Sequence, residues 1–226
     1  MLVFLDTEFT DFQQPELLSI GIVTESGEEL YIELDLQSEL GKRRSASSNE
    51  FVSARVLNQW HRFSGATCKS DEEMGGRAAD WLLELARRIG GGIDVIYYDK
   101  TDADLLELAL KAAGVWPASH PLLHFAIVSY LRGNQVVEAA MAASWANSGT
   151  LDGLKRHHAL ADARALRAGF HAMHSASEEA AVVDANIANA AARKREQWLA
   201  ENADAIESSN AWVEEHGLPL ENSRLF

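Results

Sequence analysis

Apolar residues in the first third of the chain come in short runs separated by turn-forming residues: LVFLDTE, LLSIGIVT and EELYIELDL, broken around Pro15 and at Glu25-Ser26-Gly27. Runs of this length predict strands, and connections this short favour antiparallel neighbours, so a three-stranded meander is expected. GKRRSASSNE, largely polar, is expected as a loop. Beyond it the period changes. Ser48 or Asn49 stands where a helix cap belongs, and Phe51, Val52, Val56, Leu57 and Trp60 fall on one helical stripe. Ala78, Trp81, Leu82 and Leu85 do the same on a helix from about Asp71 to Ile89, which Gly90-Gly91-Gly92 should stop.

IDVIYY is a short apolar run between glycine and acids, the pattern of a buried parallel strand. DKTDADLLELALKAAG follows as a helix, with Thr101 as a cap, acids in the first turn and Gly114 at the end. LLHFAIVSY predicts another strand, and helical patterns recur at about 134–146 and in HALADARALRAGFHAM. Three meandering strands followed by alternating helices and strands define an α/β domain with a mixed sheet. From Ser175 the chain becomes rich in Ala, Glu and Asn, with few large aliphatic residues before Trp198. Such a stretch forms helices but builds no core alone. The expected organisation is a domain over 1–173 and a helical C-terminal extension over 174–226.

Composition narrows the function classes. The chain has 226 residues, of which 47% are hydrophobic, enough for a folded soluble domain. No apolar run approaches the ~18 to 20 residues that cross a bilayer, so no membrane association is expected. MLVFLD lacks a basic start and meets an acid at Asp6, unlike a signal peptide. The single cysteine, Cys68, permits no internal disulfide, and a cytoplasmic location is the expectation. A net charge of −14 argues against holding nucleic acid on a broad basic surface. It leaves room for an enzyme that meets phosphates through bound cations. Lys42, Arg43 and Arg44 form a basic cluster in the polar loop that could guide a phosphate backbone.

The candidate chemistry lies in the acids. Asp6 and Glu8 are two apart on a strand and so point to one face, where like charges repel unless a cation lies between them. Asp99, Asp102 and Asp104 open the helix after IDVIYY; they suit the helix dipole, but a strand's carboxyl end is also where α/β sheets place active sites. In RHHALADARAL, His157 precedes Asp162 by five residues. Each feature alone has an ordinary structural explanation. Their order along the chain, in DTEFT with LLSIGIV, then DKTDADLL, then HHALADA, resembles the DEDDh family of 3'-5' exonucleases, which includes RNase T, oligoribonuclease and proofreading subunits.

That resemblance covers residues 1–173. It implies an RNase H-like fold with a mixed five-stranded sheet flanked by helices, and two divalent ions, Mg or Mn, held by Asp6, Glu8, Asp104 and Asp162. His157 would be the general base, preferred to His158 for its five-residue offset from Asp162. Asp104 is the choice for the second motif because Leu105 and Leu106 follow it, with Asp102 as the alternative. Thr7 and Phe9 match positions that contact the terminal nucleotide, through the backbone and a stacking face respectively. The implied activity is release of nucleotides from the 3' end of single-stranded RNA or DNA, with RNA slightly favoured.

The segment QWLAENADAIESSNAWVEEHGLPLENSRLF resembles the toxin-binding half of CcdA-type antitoxins through Trp198, Glu201, Asn202, Ile206, Asn210, Ala211, Trp212, Val213, Gly217, Leu218, Pro219, Leu220, Arg224 and Phe226. Their DNA-binding half has no counterpart here. The resemblance implies a CcdB-like toxin as partner through residues 198–226, anchored by Trp198, Ile206, Trp212 and Val213. The alternative functional reading is therefore an antitoxin-like binding protein on a nuclease scaffold. The same apolar residues could instead pack on the first domain or form a homodimer.

Overall fold

The computed structural model of the protein describes residues 1–116 and 122–216. The chain divides into two compact units between His174 and Ser175. In the first unit β1 (Leu2–Phe9), β2 (Leu17–Thr24) and β3 (Glu29–Leu34) form the antiparallel meander. β4 (Thr67–Cys68) pairs parallel to β3, and β5 (Ile93–Tyr97) and β6 (Leu123–Ile127) extend the sheet in parallel from β1. The order is β4-β3-β2-β1-β5-β6, one strand more than the five expected. The extra strand is two residues long, too short to leave an alternation in the sequence.

The helices are α1 (Glu39–Ser47), α2 (Asp71–Ile89), α3 (Lys100–Ala112), α4 (Gln135–Leu151), α5 (Ala159–Glu201) and α6 (Ala203–His216). Gly90, in the left-handed region at φ 66°, ends α2 where the glycine run foretold. α1 occupies the segment expected as a polar loop. The Ser38 hydroxyl caps it by accepting from the Gly41 N–H at 3.0 Å. The fully buried side chain of α1 is a basic one, Arg44, with only Leu40 of its apolar residues packed on the core, which is why hydrophobic patterning missed it. Arg44 is buried, its guanidinium donating to both Asp71 oxygens (2.6 and 2.7 Å) and to the Leu17 carbonyl (2.8 Å). Lys42 pairs with Glu39, and Arg43 with Glu16. The cluster is thus engaged in ion pairs and does not form a free basic loop.

Phe51 to Trp60 is also not a regular helix. A π-helical turn, Val52–Val56, runs into a 3-10 turn, Leu57–Gln59, burying Val52 and Val56. α4 continues to Leu151, past the end expected at 146.

Alternate residues of β1 feed two cores. Val3 and Leu5 join Leu82 and Leu85 of α2 and Leu106 of α3, whereas Phe4 packs with Val137 of α4 and Leu166 of α5. The period of two therefore assigns the even-numbered Asp6 and Glu8 to the α5 face and Thr7 to the α3 face. β1 also outruns its parallel neighbour. The β1–β5 register ends at Leu5↔Tyr97, while β1 stays paired with β2 to Phe9, with an irregularity after Glu8. The last four residues of β1 consequently have one open edge, next to the start of α3.

Candidate active site

The open edge of β1 is closed by an aspartate. Asp102 lies in the first turn of α3, buried, and its Oδ1 accepts from the Thr7 N–H at 3.0 Å and from Thr7 Oγ1 at 2.8 Å. Its Oδ2 accepts from the Asp99 N–H at 3.3 Å, one half of a capping box that starts α3. A strand N–H that β5 does not reach thus fixes a carboxylate. The expectation for Thr7 changes with this: both its donors are given to Asp102 and not left for a nucleotide.

Asp104, the residue chosen for the second motif, is not brought to this place. It is half exposed on α3 and pairs with Lys100 one turn earlier, at 2.5 and 2.6 Å. The physical reason is the 100° advance per residue of a helix: Asp102 faces inward with Leu105 and Leu106, and Asp104 faces out. The fallback residue, Asp102, takes the position.

Asp162 arrives from the other side. α5 begins against β2 at Gly21, the residue paired with Asp6. With no side chain on Gly21, the backbone of Ala159 and Leu160 lies directly on the sheet, and Asp162 follows within a turn. Its Oδ2 accepts from the His157 N–H at 2.9 Å and its Oδ1 from Trp145 Nε1 at 2.5 Å. Trp145, on α4, was not singled out from the sequence, since an indole in an alanine-rich helix reads as core.

Asp6, Thr7, Glu8, Asp102, His157 and Asp162 line one cavity of about 370 Å³, together with Phe9, Phe12, Phe51, Tyr98 and Arg132. A His157 ring nitrogen and carboxylate oxygens of Glu8 and Asp162 lie within 4.8 Å of one another. The electrostatics are those of acids crowded without enough countercharge. Burial first, then Asp102, Asp162 and Glu8, hold Asp6 well above the usual carboxylate range; burial, Asp162 and Asp102 do the same to Glu8. Burial pushes Asp102 up to about 6 and Asp162 up to about 7, although the hydrogen bonds from Thr7 and Asp99, and from His157 and Trp145, pull in the opposite direction.

The two adjacent histidines part company. His157 lines the cavity with its ring edge-on to Phe51 at 4.8 Å, and its backbone takes the left-handed conformation at φ 67°. Burial, then Arg156 and Arg55, lower its basicity. His158 turns into the core, 2% exposed, stacked on Tyr31 at 4.4 Å, with no partner on either ring nitrogen. Phe9 is partly buried against the core and meets the exposed Phe12 edge-on at 5.0 Å, both at the cavity wall.

The donor set suits a hard divalent cation. Glu8 and Asp162 offer oxygens beside the His157 nitrogen, with Asp6 and Asp102 on the same cavity, and a cation among them would offset the burial and repulsion that raise their proton affinity.

The second unit, from Ser175, contains the end of α5 and α6. Trp198 and Leu199 are exposed there at 56% and 45%. Leu199, Ile206, Asn210 and Ala211 line a shallow depression. Residues 217–226, among them Gly217, Leu218, Pro219, Leu220, Arg224 and Phe226, lie outside the described residues, as does the side chain of Trp212. Among the described residues no helix is long and apolar enough to cross a membrane. No curated protein matches the chain. The family model described as Post-segregation antitoxin CcdA matches residues 178–226, and that segment is similar to the antitoxin family.

Proposed function

We propose that the first unit is a metal-dependent 3'-5' exonuclease acting on single-stranded RNA or DNA. One observation carries this reading: Asp6, Glu8, Asp102 and Asp162 converge with His157 on a single cavity. The strand order, with an antiparallel meander continued by two parallel strands, supports the RNase H-like fold that the exonuclease resemblance implies.

Asp6, Glu8, Asp102 and Asp162 would hold two divalent ions, Mg or Mn, whose Lewis acidity activates water and stabilises the leaving oxygen. The protein's own groups then have distinct tasks. A ring nitrogen of His157 takes the proton of the attacking water, and its lowered basicity keeps the imidazole neutral and able to accept. Water attacks the phosphorus of the terminal phosphodiester. The P–O3' bond breaks and O3' takes a proton from solvent, giving a nucleoside 5'-monophosphate and a strand one residue shorter with a free 3' hydroxyl. Thr7 fixes Asp102, and Trp145 with the His157 N–H fixes Asp162, so the oxygens stand ready before any ligand arrives. Phe9 and Phe12 offer aromatic surface for the terminal base. The test is incubation of the full chain with Mn and 3'-labelled single strands. Label released first as mononucleotide supports the reading; inertness on both RNA and DNA overturns it.

A second reading concerns the second unit alone. The family match over 178–226 and the exposed Trp198 favour a toxin-binding segment for a CcdB-like partner. Capture of purified CcdB-type toxin by the full chain, lost on Trp198→Ala, is the expected result. No binding at micromolar concentration would refute it.

A further inference from the structure

On a chain of net charge −14, one cleft is lined by cations and no acid. It has a volume of about 540 Å³, and Arg55, Arg62, Lys155 and Arg156 stand around it. It shares Phe51 and His157 with the acidic cavity, so the two adjoin. The acidic cavity has a single guanidinium, Arg132, among its carboxylates, whereas this cleft offers four cations to an anionic group.

The cleft is also built in advance. Its floor is Gln59, 3% exposed, whose side chain ties together the two segments that supply the cations. Gln59 Oε1 accepts from the Lys155 N–H at 2.8 Å. Its Nε2 lies within hydrogen-bonding distance of the carbonyls of Arg55 (3.0 Å), Arg156 (3.2 Å) and His157 (3.0 Å). One buried amide thus fixes the backbone that presents three of the four cations and the proposed general base. Arg156 is further steadied over the Trp145 ring at 4.8 Å. Arg62 and Lys155 are exposed and free to meet a ligand.

We infer that this cleft holds the phosphodiester backbone of the strand on the 5' side of the bond being cut, so that turnover favours oligonucleotides long enough to reach it. The inference rests on the exonuclease reading for the identity of the strand. Arg62 and Lys155 are the residues to change, because Arg55 and Arg156 also act on His157. A fluorescein-labelled 12-nucleotide single strand is titrated with the full chain by anisotropy in EDTA, where no cleavage occurs, across a salt series. Hydrolysis of the 12-mer and of the p-nitrophenyl ester of thymidine 5'-monophosphate is then measured in Mn.

Arg62→Gln combined with Lys155→Gln should weaken 12-mer binding about tenfold at low salt and reduce the slope of log K against log salt by about 1.4, at about 0.7 per single-strand phosphate contact. The ratio of 12-mer to ester turnover should fall by a similar factor. If the double variant does not fold, Lys155→Gln alone should reduce the slope by about 0.7. Unchanged affinity and slope in a folded variant would overturn the cleft assignment. A wild-type chain that hydrolyses neither substrate would count against the exonuclease reading, and the anisotropy series would still decide the cleft.

Discussion

Ala159 opens α5 directly over Gly21: a Cβ added at Gly21 would lie 2.3 Å from the Ala159 carbonyl carbon and 2.4 Å from its oxygen. Both partners are backbone, so neither can turn aside. Gly21→Ala should cost about 3 kcal/mol or more, the upper end of overpacking, and displace Asp162 from Asp6. Chemical denaturation of the variant, with manganese titration of whatever remains folded, reads both effects; native stability with native metal affinity would contradict this account.

Asp102 and Asp104 separate the buried acid from the surface one. Asp102→Asn should lower metal-dependent hydrolysis at least a hundredfold. Asp104→Asn should stay within twofold, because it loses only an exposed i,i+4 pair with Lys100. Single-turnover rates on one labelled strand make the comparison, and the reverse ranking would return the second motif to Asp104.

The acid cluster predicts how metal and pH interact. Without a cation, Asp102 and Asp162 keep their protons to about 6 and about 7, against 3.8 for the unperturbed group. The metal-free fold is therefore favoured at low pH by this cluster and loses that contribution as pH rises through 6 and 7. Manganese competes with those protons, so the rise in melting temperature it produces should grow from pH 5 to pH 8. An equal shift across that range would exclude these acids as its ligands.

His158 has the opposite sign. Burial lowers it to about 4 from 6.5, so the folded state resists a proton that the unfolded chain accepts. Stability is intact above 6.5 and falls by up to about 3 kcal/mol as the pH drops toward 4. His158→Phe keeps a ring against Tyr31 and should flatten the decline, measured as the difference between variant and parent denaturation free energies at pH 7 and pH 4.5.

The meander, the α/β alternation and the helix ending at Gly90 were legible because each rests on local pattern and punctuation. So was the gathering of Asp6, Glu8, His157 and Asp162, through motif order rather than through any one residue. α1 was not legible, because its inward residue is Arg44, which patterning assigns to the surface. Choosing between Asp102 and Asp104 needed the phase of α3 relative to β1, which depends on β5 ending two residues before Thr7's open N–H. Trp145 and Gln59 were hidden for a related reason: their partners are 17 and nearly 100 residues away, and nothing local marks them.

The left-handed backbone of His157 carries a consequence for how this position should drift. A glycine would hold φ 67° at about 1 kcal/mol less cost, and its N–H and carbonyl would still meet Asp162 and Gln59. Backbone strain alone favours glycine at 157, and on the exonuclease reading the chemistry is what favours histidine. On that reading a lineage released from selection for turnover would be expected to lose this ring early, making residue 157 a sensitive record of whether the cavity is still in use.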